Sequence, residues 1–111
     1  MATDGGAPQE IPVLHPCGDL DQASIGPFAH ELRQLCAAHR VVVVDLAGVT
    51  FGDSTFLNTL IQAETLTDLR LTGVPPSIAR VFAITAMDEI LAVYPTCDAA
   101  QMALPHAGDA A

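Results

Sequence analysis

Val41-Val42-Val43-Val44-Asp45-Leu46-Ala47-Gly48-Val49-Thr50-Phe51-Gly52-Asp53-Ser54-Thr55-Phe56-Leu57 carries the pattern that decides the fold. Four valines in a row read as a strand covered on both faces, because β-branched side chains pack well on a pleated surface and such a strand needs no polar alternation. A tight turn is expected after that strand, then a helix from Ser54 to about Thr67. Asp53 and Ser54 supply oxygens that can cap the orphan N–H groups of a helix start. Phe56, Leu57, Leu60 and Ile61 follow at helical spacing. The pattern places a hydroxyl at a helix N-terminus, at the end of a central strand. There the helix dipole is positive and N–H groups point outward. A phosphate on Ser54 would be tolerated by its own helix and would add about −2 charge to an exposed rim.

The chain on either side repeats the alternation of strand and helix. Ile11-Pro12-Val13-Leu14-His15 reads as a short edge strand, restricted by Pro12 and Pro16. Ser24 is the expected cap of a first helix that tolerates Pro27 in its first turn. Ile25, Phe28, Ala29, Leu32, Leu35 and Cys36 line one face of that helix, which ends near His39. Leu69 to Gly73 forms a further strand. Pro75-Pro76-Ser77 opens a helix with Ile78, Val81 and Phe82 on one face. Leu91 to Tyr94 is a last strand, and Thr96 or Asp98 starts a final helix that Pro105 ends. Strands alternating with helices predict an α/β layer with parallel strands and right-handed crossovers. Residues 1–9 and 106–111 read as tails around one domain at 10–105.

Composition narrows the function. The chain has 111 residues, half of them apolar, enough for one core. Thirteen acidic residues face four arginines and no lysine, for a net charge of −9. Such a surface repels phosphate backbones, which argues against direct nucleic-acid binding, and favours a basic protein partner. Absence of lysine removes P-loop and Schiff-base chemistry. No apolar run approaches the ~18 residues of a membrane span. The acidic start has no basic leader region, so cytoplasmic residence is expected. Cys17, Cys36 and Cys97 have no metal or disulfide spacing and read as reduced, mostly buried residues. His15, His30, His39 and His106 read as solvated, and the four arginines as surface charges.

Asp45 to Thr55 resembles the signature of STAS domains, the fold of anti-sigma-factor antagonists. That signature is an apolar strand, Asp-Leu-(Ser/Ala)-Gly-Val-x-Phe, then x-Asp-Ser-(Ser/Thr)-Gly-Leu. Gly18-Asp19-Leu20-Asp21 resembles the family's Gly-x-Leu-Asp at the end of an early strand. Leu69-Arg70-Leu71-Thr72-Gly73-Val74-Pro75-Pro76-Ser77 with Ile78, Val81 and Phe82 resembles its later strand, loop and helix. The match spans about residues 11–104. The resemblance implies an α/β STAS domain, a small mixed or parallel sheet packed with about four helices. It implies that Ser54 is the phosphorylation site and that Asp21 lies near it in partner contact. Asp53, Thr55 and Phe56 complete the expected partner-binding set. Phe56 stands where glycine is usual, and it can serve the core or act as an exposed anchor. The family's additional strand before the first helix is not expected here, and the edge left uncovered could pair with another chain as a homodimer.

What the resemblance implies for function is a phosphorylation-controlled interaction switch. Unphosphorylated, the domain binds an anti-sigma factor that is a serine kinase, and so frees a sigma factor. Phosphate on Ser54 releases the partner. The alternative is a STAS scaffold that is not phosphorylated, or a subunit of a larger regulatory or transport assembly. Gly52-Asp53-Ser54-Thr55-Phe56 is a near-miss to the Gly-x-Ser-x-Gly nucleophile elbow, but it lacks the second glycine, and His106 is the one downstream base. No enzyme activity, cofactor or metal is expected.

Overall fold

Two bent strand pairs set the architecture of the computed structural model, which describes residues 11–103. β1 (Val13–Leu14) pairs in parallel with β3 (Val41–Asp45). Each chain then turns and pairs again, β2 (Cys17–Leu20) with β4 (Gly48–Gly52), also in parallel. β5 (Asp68–Thr72) and β6 (Ala92–Tyr94) extend the first sheet in the order β1-β3-β5-β6, with β2-β4 as a second, two-stranded sheet. Four helices join them: α1 (Gly26–Ala38), α2 (Ser54–Leu66), α3 (Pro76–Ile84) and α4 (Cys97–Met102), with a 3-10 turn at Met87–Glu89. The tails expected at 1–9 and 106–111, with Pro105 and His106, lie outside the described residues.

β3 is a central strand covered on both faces, as the valine run predicts. Val42, Val43 and Val44 are fully buried. Side chains alternate across a strand. Val42 and Val44, with Leu69 and Leu71 of β5, join the core formed by Phe28, Leu32 and Cys36 of α1, Phe56 and Leu60 of α2, and Ile78 and Phe82 of α3. α4 packs against β3, β5 and β6. Its Ala100 is fully buried.

The sequence expectation fails at three places. The segment after β3 is not a tight turn into a helix. The Ala47 N–H donates to Asp45 Oδ1 at 3.0 Å and the Val49 N–H to the Leu46 carbonyl at 3.0 Å, which makes the turn after β3, before β4. The Gly48–Gly52 run is itself a strand, because β2 offers it a free parallel edge. A strand before the first helix is therefore present, formed by Cys17–Leu20.

Ser24 does not cap α1. Its hydroxyl lies 2.6 Å from the Asp19 carbonyl and 2.9 Å from Asp21 Oδ1, so it closes the preceding turn instead. The N-cap is Ile25, with no side-chain bond.

Arg70 is not a surface charge: it is 1% exposed. Its guanidinium donates to Asp68 Oδ2 at 2.8 Å and to the Ala100 and Ala103 carbonyls at 2.7 and 2.8 Å. It also lies 5.8 Å from the centroid of the Tyr94 ring. A cation beside the last carbonyls of α4 satisfies groups that the helix cannot pair internally. Removing one member of a buried ion pair leaves the other charge stranded in low dielectric. Arg70→Leu is expected to cost about 3 kcal/mol, read as a lower urea midpoint, with exchange at α4 amides rising first.

Candidate functional site

The N-terminus of α2 is built by Asp53. Its backbone is extended, and Oδ1 accepts from the N–H groups of Thr55 at 2.9 Å and Phe56 at 3.2 Å. Two of the four orphan donors of the helix are thereby satisfied. Oδ2 accepts from the Gln22 N–H at 3.1 Å, and the Asp53 N–H reaches the Leu20 carbonyl at 3.4 Å. One carboxylate thus ties α2 to the turn between β2 and α1, thirty-one residues away in sequence.

That turn holds Asp21. Its Oδ1 accepts from the Ala23 and Ser24 N–H groups at 3.0 and 3.1 Å, and its carbonyl accepts from Ser24 and Ile25. The Ser24 hydroxyl, followed by the backbone donors, holds the Asp21 carboxyl below its ordinary pKa. Asp21 and Asp53 therefore stand on adjoining turns, at the ends of paired strands in which Leu20 faces Gly52. Ser54, exposed, is the first residue of α2 beside them. Thr55 is half-buried. Asp19 does not belong to the turn. It lies in β2, where its Oδ1 accepts from the Thr50 hydroxyl at 2.6 Å.

Phe56 is fully buried, so its side chain is not an exposed anchor; it belongs to the core. Gly52 permits this. A Cβ at Gly52 would collide with the Phe56 ring, which lies against that backbone. The exposed aromatic near Ser54 is Phe51, at 52%. Strand alternation alone would put Phe51 on the same face as Val49, which is buried. The ladder, however, pairs Gly18 with Val49 and Asp19 with Phe51, leaving Thr50 as an extra residue in β4. Such a bulge re-aims the next side chain.

A second cluster lies at the carboxyl end of β3. Asp45 Oδ2 is 3.2 Å from His15 Nδ1 and 3.9 Å from Cys97 Sγ. Burial, then the nearby Asp45 charge, raises the Cys97 thiol above its ordinary pKa. Gly73, at φ +65°, passes so close that a Cβ there would strike Asp45 Oδ1. Of the cysteines, Cys36 is buried as expected but Cys17 is exposed, because it opens β2. No group of three or more His, Cys, Asp or Glu among the described residues is arranged to hold a metal. No described helix is long and apolar enough to cross a membrane.

Residues 6–93 match the STAS family described as "Mlab, STAS domain", and the chain belongs to the STAS family. No curated protein gave a match. Among solved structures, an anti-sigma factor antagonist from Mycobacterium paratuberculosis is similar at TM-score 0.73 and 23% identity, over 90% of this chain and 86% of that one. A STAS-domain anti-sigma-factor antagonist from Planctomyces limnophilus is similar at TM-score 0.67 and 24% identity, over 76% and 78%. A sulfate transporter family protein from Wolinella succinogenes is similar at TM-score 0.64 and 17% identity, over 82% and 81%. These likenesses establish the fold, a STAS domain with a parallel sheet and four helices. The similar structures include anti-sigma-factor antagonists and a sulfate transporter family protein.

Two outcomes test this geometry. Asp53→Ala removes the cap and the tie to Gln22, and should cost about 1–2 kcal/mol in urea denaturation, with faster amide exchange at Gln22, Thr55 and Phe56. Because the folded Asp21 pKa lies below its unfolded value, its contribution is present above about pH 4 and is lost as pH falls through the folded value. Stability measured at stepped pH should therefore decline more steeply below about pH 4 in the wild type than in Asp21→Asn.

Proposed function

We propose that this chain is an anti-sigma-factor antagonist, a switch that binds an anti-sigma serine kinase when Ser54 is unphosphorylated. The observation that carries the reading is the position of Ser54: exposed, first in a 13-residue helix, with Asp53 and Asp21 on adjoining turns beside it. A seryl oxygen there can enter a kinase cleft without unfolding its helix. The γ-phosphoryl of the kinase's ATP passes to Ser54 Oγ, ADP leaves, and the hydroxyl proton goes to a base of the kinase. Catalysis belongs to the partner. The added charge of about −2 beside Asp21 and Asp53 then opposes any acidic or apolar surface docked over the rim, and the partner leaves. Partner contact falls to Asp21, Asp53, Ser54 and Thr55, with Phe51 as the apolar anchor in place of Phe56. The net charge of −9 favours a partner that is basic around, and not over, the Ser54 contact. Bound kinase no longer holds its sigma factor. The setting is the bacterial cytoplasm, the working unit is the domain at 10–105, and no cofactor or nucleic acid is needed.

A second reading has specific support. The matched family carries the Mlab name, and one similar structure is a transporter family protein. In this reading the domain is a subunit of a transport or regulatory assembly, and the Ser54 rim is a permanent contact.

Incubation with a candidate anti-sigma kinase and ATP, followed by phosphate mapping by mass spectrometry, separates the two. The switch requires phosphate on Ser54, none in Ser54→Ala, and partner affinity reduced at least about tenfold in Ser54→Asp. Equal partner binding by wild type and Ser54→Asp, without labelling, favours the assembly subunit.

A further inference from the structure

The two ends of the sheet are chemically different, because every strand runs the same way. Ser54 follows β4 at the carboxyl end. α3 begins at the carboxyl end of β5 and runs back, so its last residue, Ile84, and the 3-10 turn after it lie at the amino end, where the chain enters β6. At this amino end Ile84 is 76% exposed and Ile90 53%; Val93, further along β6 and level with Leu71, is 48% exposed. β6 is the last strand of its sheet.

The backbone under these side chains is held firmly. The Thr85 hydroxyl donates to the Val81 carbonyl at 2.7 Å. The N–H groups of Ile90 and Leu91 both donate to the Met87 carbonyl, at 3.0 and 2.8 Å. Leu91 is buried, and Met87 packs against the core. The 3-10 turn packs on both α3 and β6. Between Ile84 and Ile90 the same turn presents exposed Asp88 and Glu89.

We infer that Ile84, Ile90 and Val93, flanked by Asp88 and Glu89, form a second docking surface for a partner segment that is both apolar and basic, running from the amino end of the sheet along β6 and away from Ser54. Single exposed aliphatic residues are ordinary on a protein surface, but three on adjoining, rigid elements beside a sheet edge mark an interaction site. Charge decides the occupant. A second copy of this chain brings another −9 to the contact, and an anionic membrane surface is repelled in the same way. A segment with Lys or Arg beside Leu, Ile or Phe covers the aliphatic side chains and meets both carboxylates. Because the surface lies away from the α2 N-terminus, it is engaged whether or not Ser54 carries phosphate, so the domain can hold one partner while the Ser54 rim exchanges another.

The test titrates the full chain, isotope-labelled, with a synthetic Leu/Lys amphipathic peptide and follows amide shifts by NMR. Perturbations concentrated at residues 84–93 are expected. Ile84→Glu combined with Ile90→Glu should weaken the peptide at least about tenfold; Asp88→Lys combined with Glu89→Lys, which leaves the apolar residues in place, should do so as well. Ser54→Asp should change affinity less than about twofold. All these positions are exposed, and a circular dichroism spectrum matching wild type establishes that each variant is folded. Shifts centred on residues 19–22 and 51–55, shifts scattered over the acidic surface, or affinity unchanged in both double variants would overturn the inference. So would sedimentation showing self-association that Ile84→Glu abolishes, which assigns the surface to a second copy.

Discussion

Burial of β3 on both faces is the constraint from which the rest of the structure follows. A strand with no water above or below must find lateral partners for its backbone polar groups. β1 and β5 supply them, Val13 facing Val43 and Val43 facing Arg70. Its two rows of valines must meet apolar cover on opposite sides, which places α1, α2 and α3 against one face and α4 against the other. Parallel pairing then forces helical crossovers, and the crossovers put every strand-to-helix connection at the carboxyl end. The Ser54 rim and the Asp45 cluster both lie there for that reason.

Within that frame the site depends on one carboxylate used three times. Asp53 caps α2 through Thr55 and Phe56 and reaches across to Gln22. Helix start and neighbouring turn are therefore one unit, with Asp21 held on the other side by its own turn. Substitution of glycine by Phe56 does not disturb the rim, because Gly52 leaves room for the ring to turn inward. The cost is that Gly52 cannot be anything larger. The apolar contribution to the surface passes to Phe51, turned outward by the extra residue in β4.

The acidity of the chain gives both surfaces the same preference. Arg70, one of its four cations, is committed to the interior, where it holds the end of α4 to the sheet. The Asp68 side chain is buried with it, so the exterior keeps the net charge of −9. The Ser54 rim carries Asp21 and Asp53, and the opposite end carries Asp88 and Glu89.

The buried central strand and the placement of Ser54 at a helix start were legible in residues 41–57, because they rest on local propensity and periodicity. Four valines are a strand in almost any context, and an Asp before a Ser-Thr pair is a helix start. The resemblance to STAS domains was legible for the same reason, since its motif records these local demands. Long-range pairings decided the rest. Nothing in Gly48–Gly52 announces a strand until β2 lies beside it, and nothing in Thr50 announces a bulge until the ladder is counted. Ser24 looked like a cap, but Asp19 and Asp21 claimed its hydroxyl. Arg70 looked like a surface charge, but α4 brought it carbonyls from thirty residues away. Phe56 joined the core and Phe51 turned outward because exposure is set by what packs above a residue. A sequence specifies its local preferences directly; which side chains meet water is decided only when distant segments close over one another.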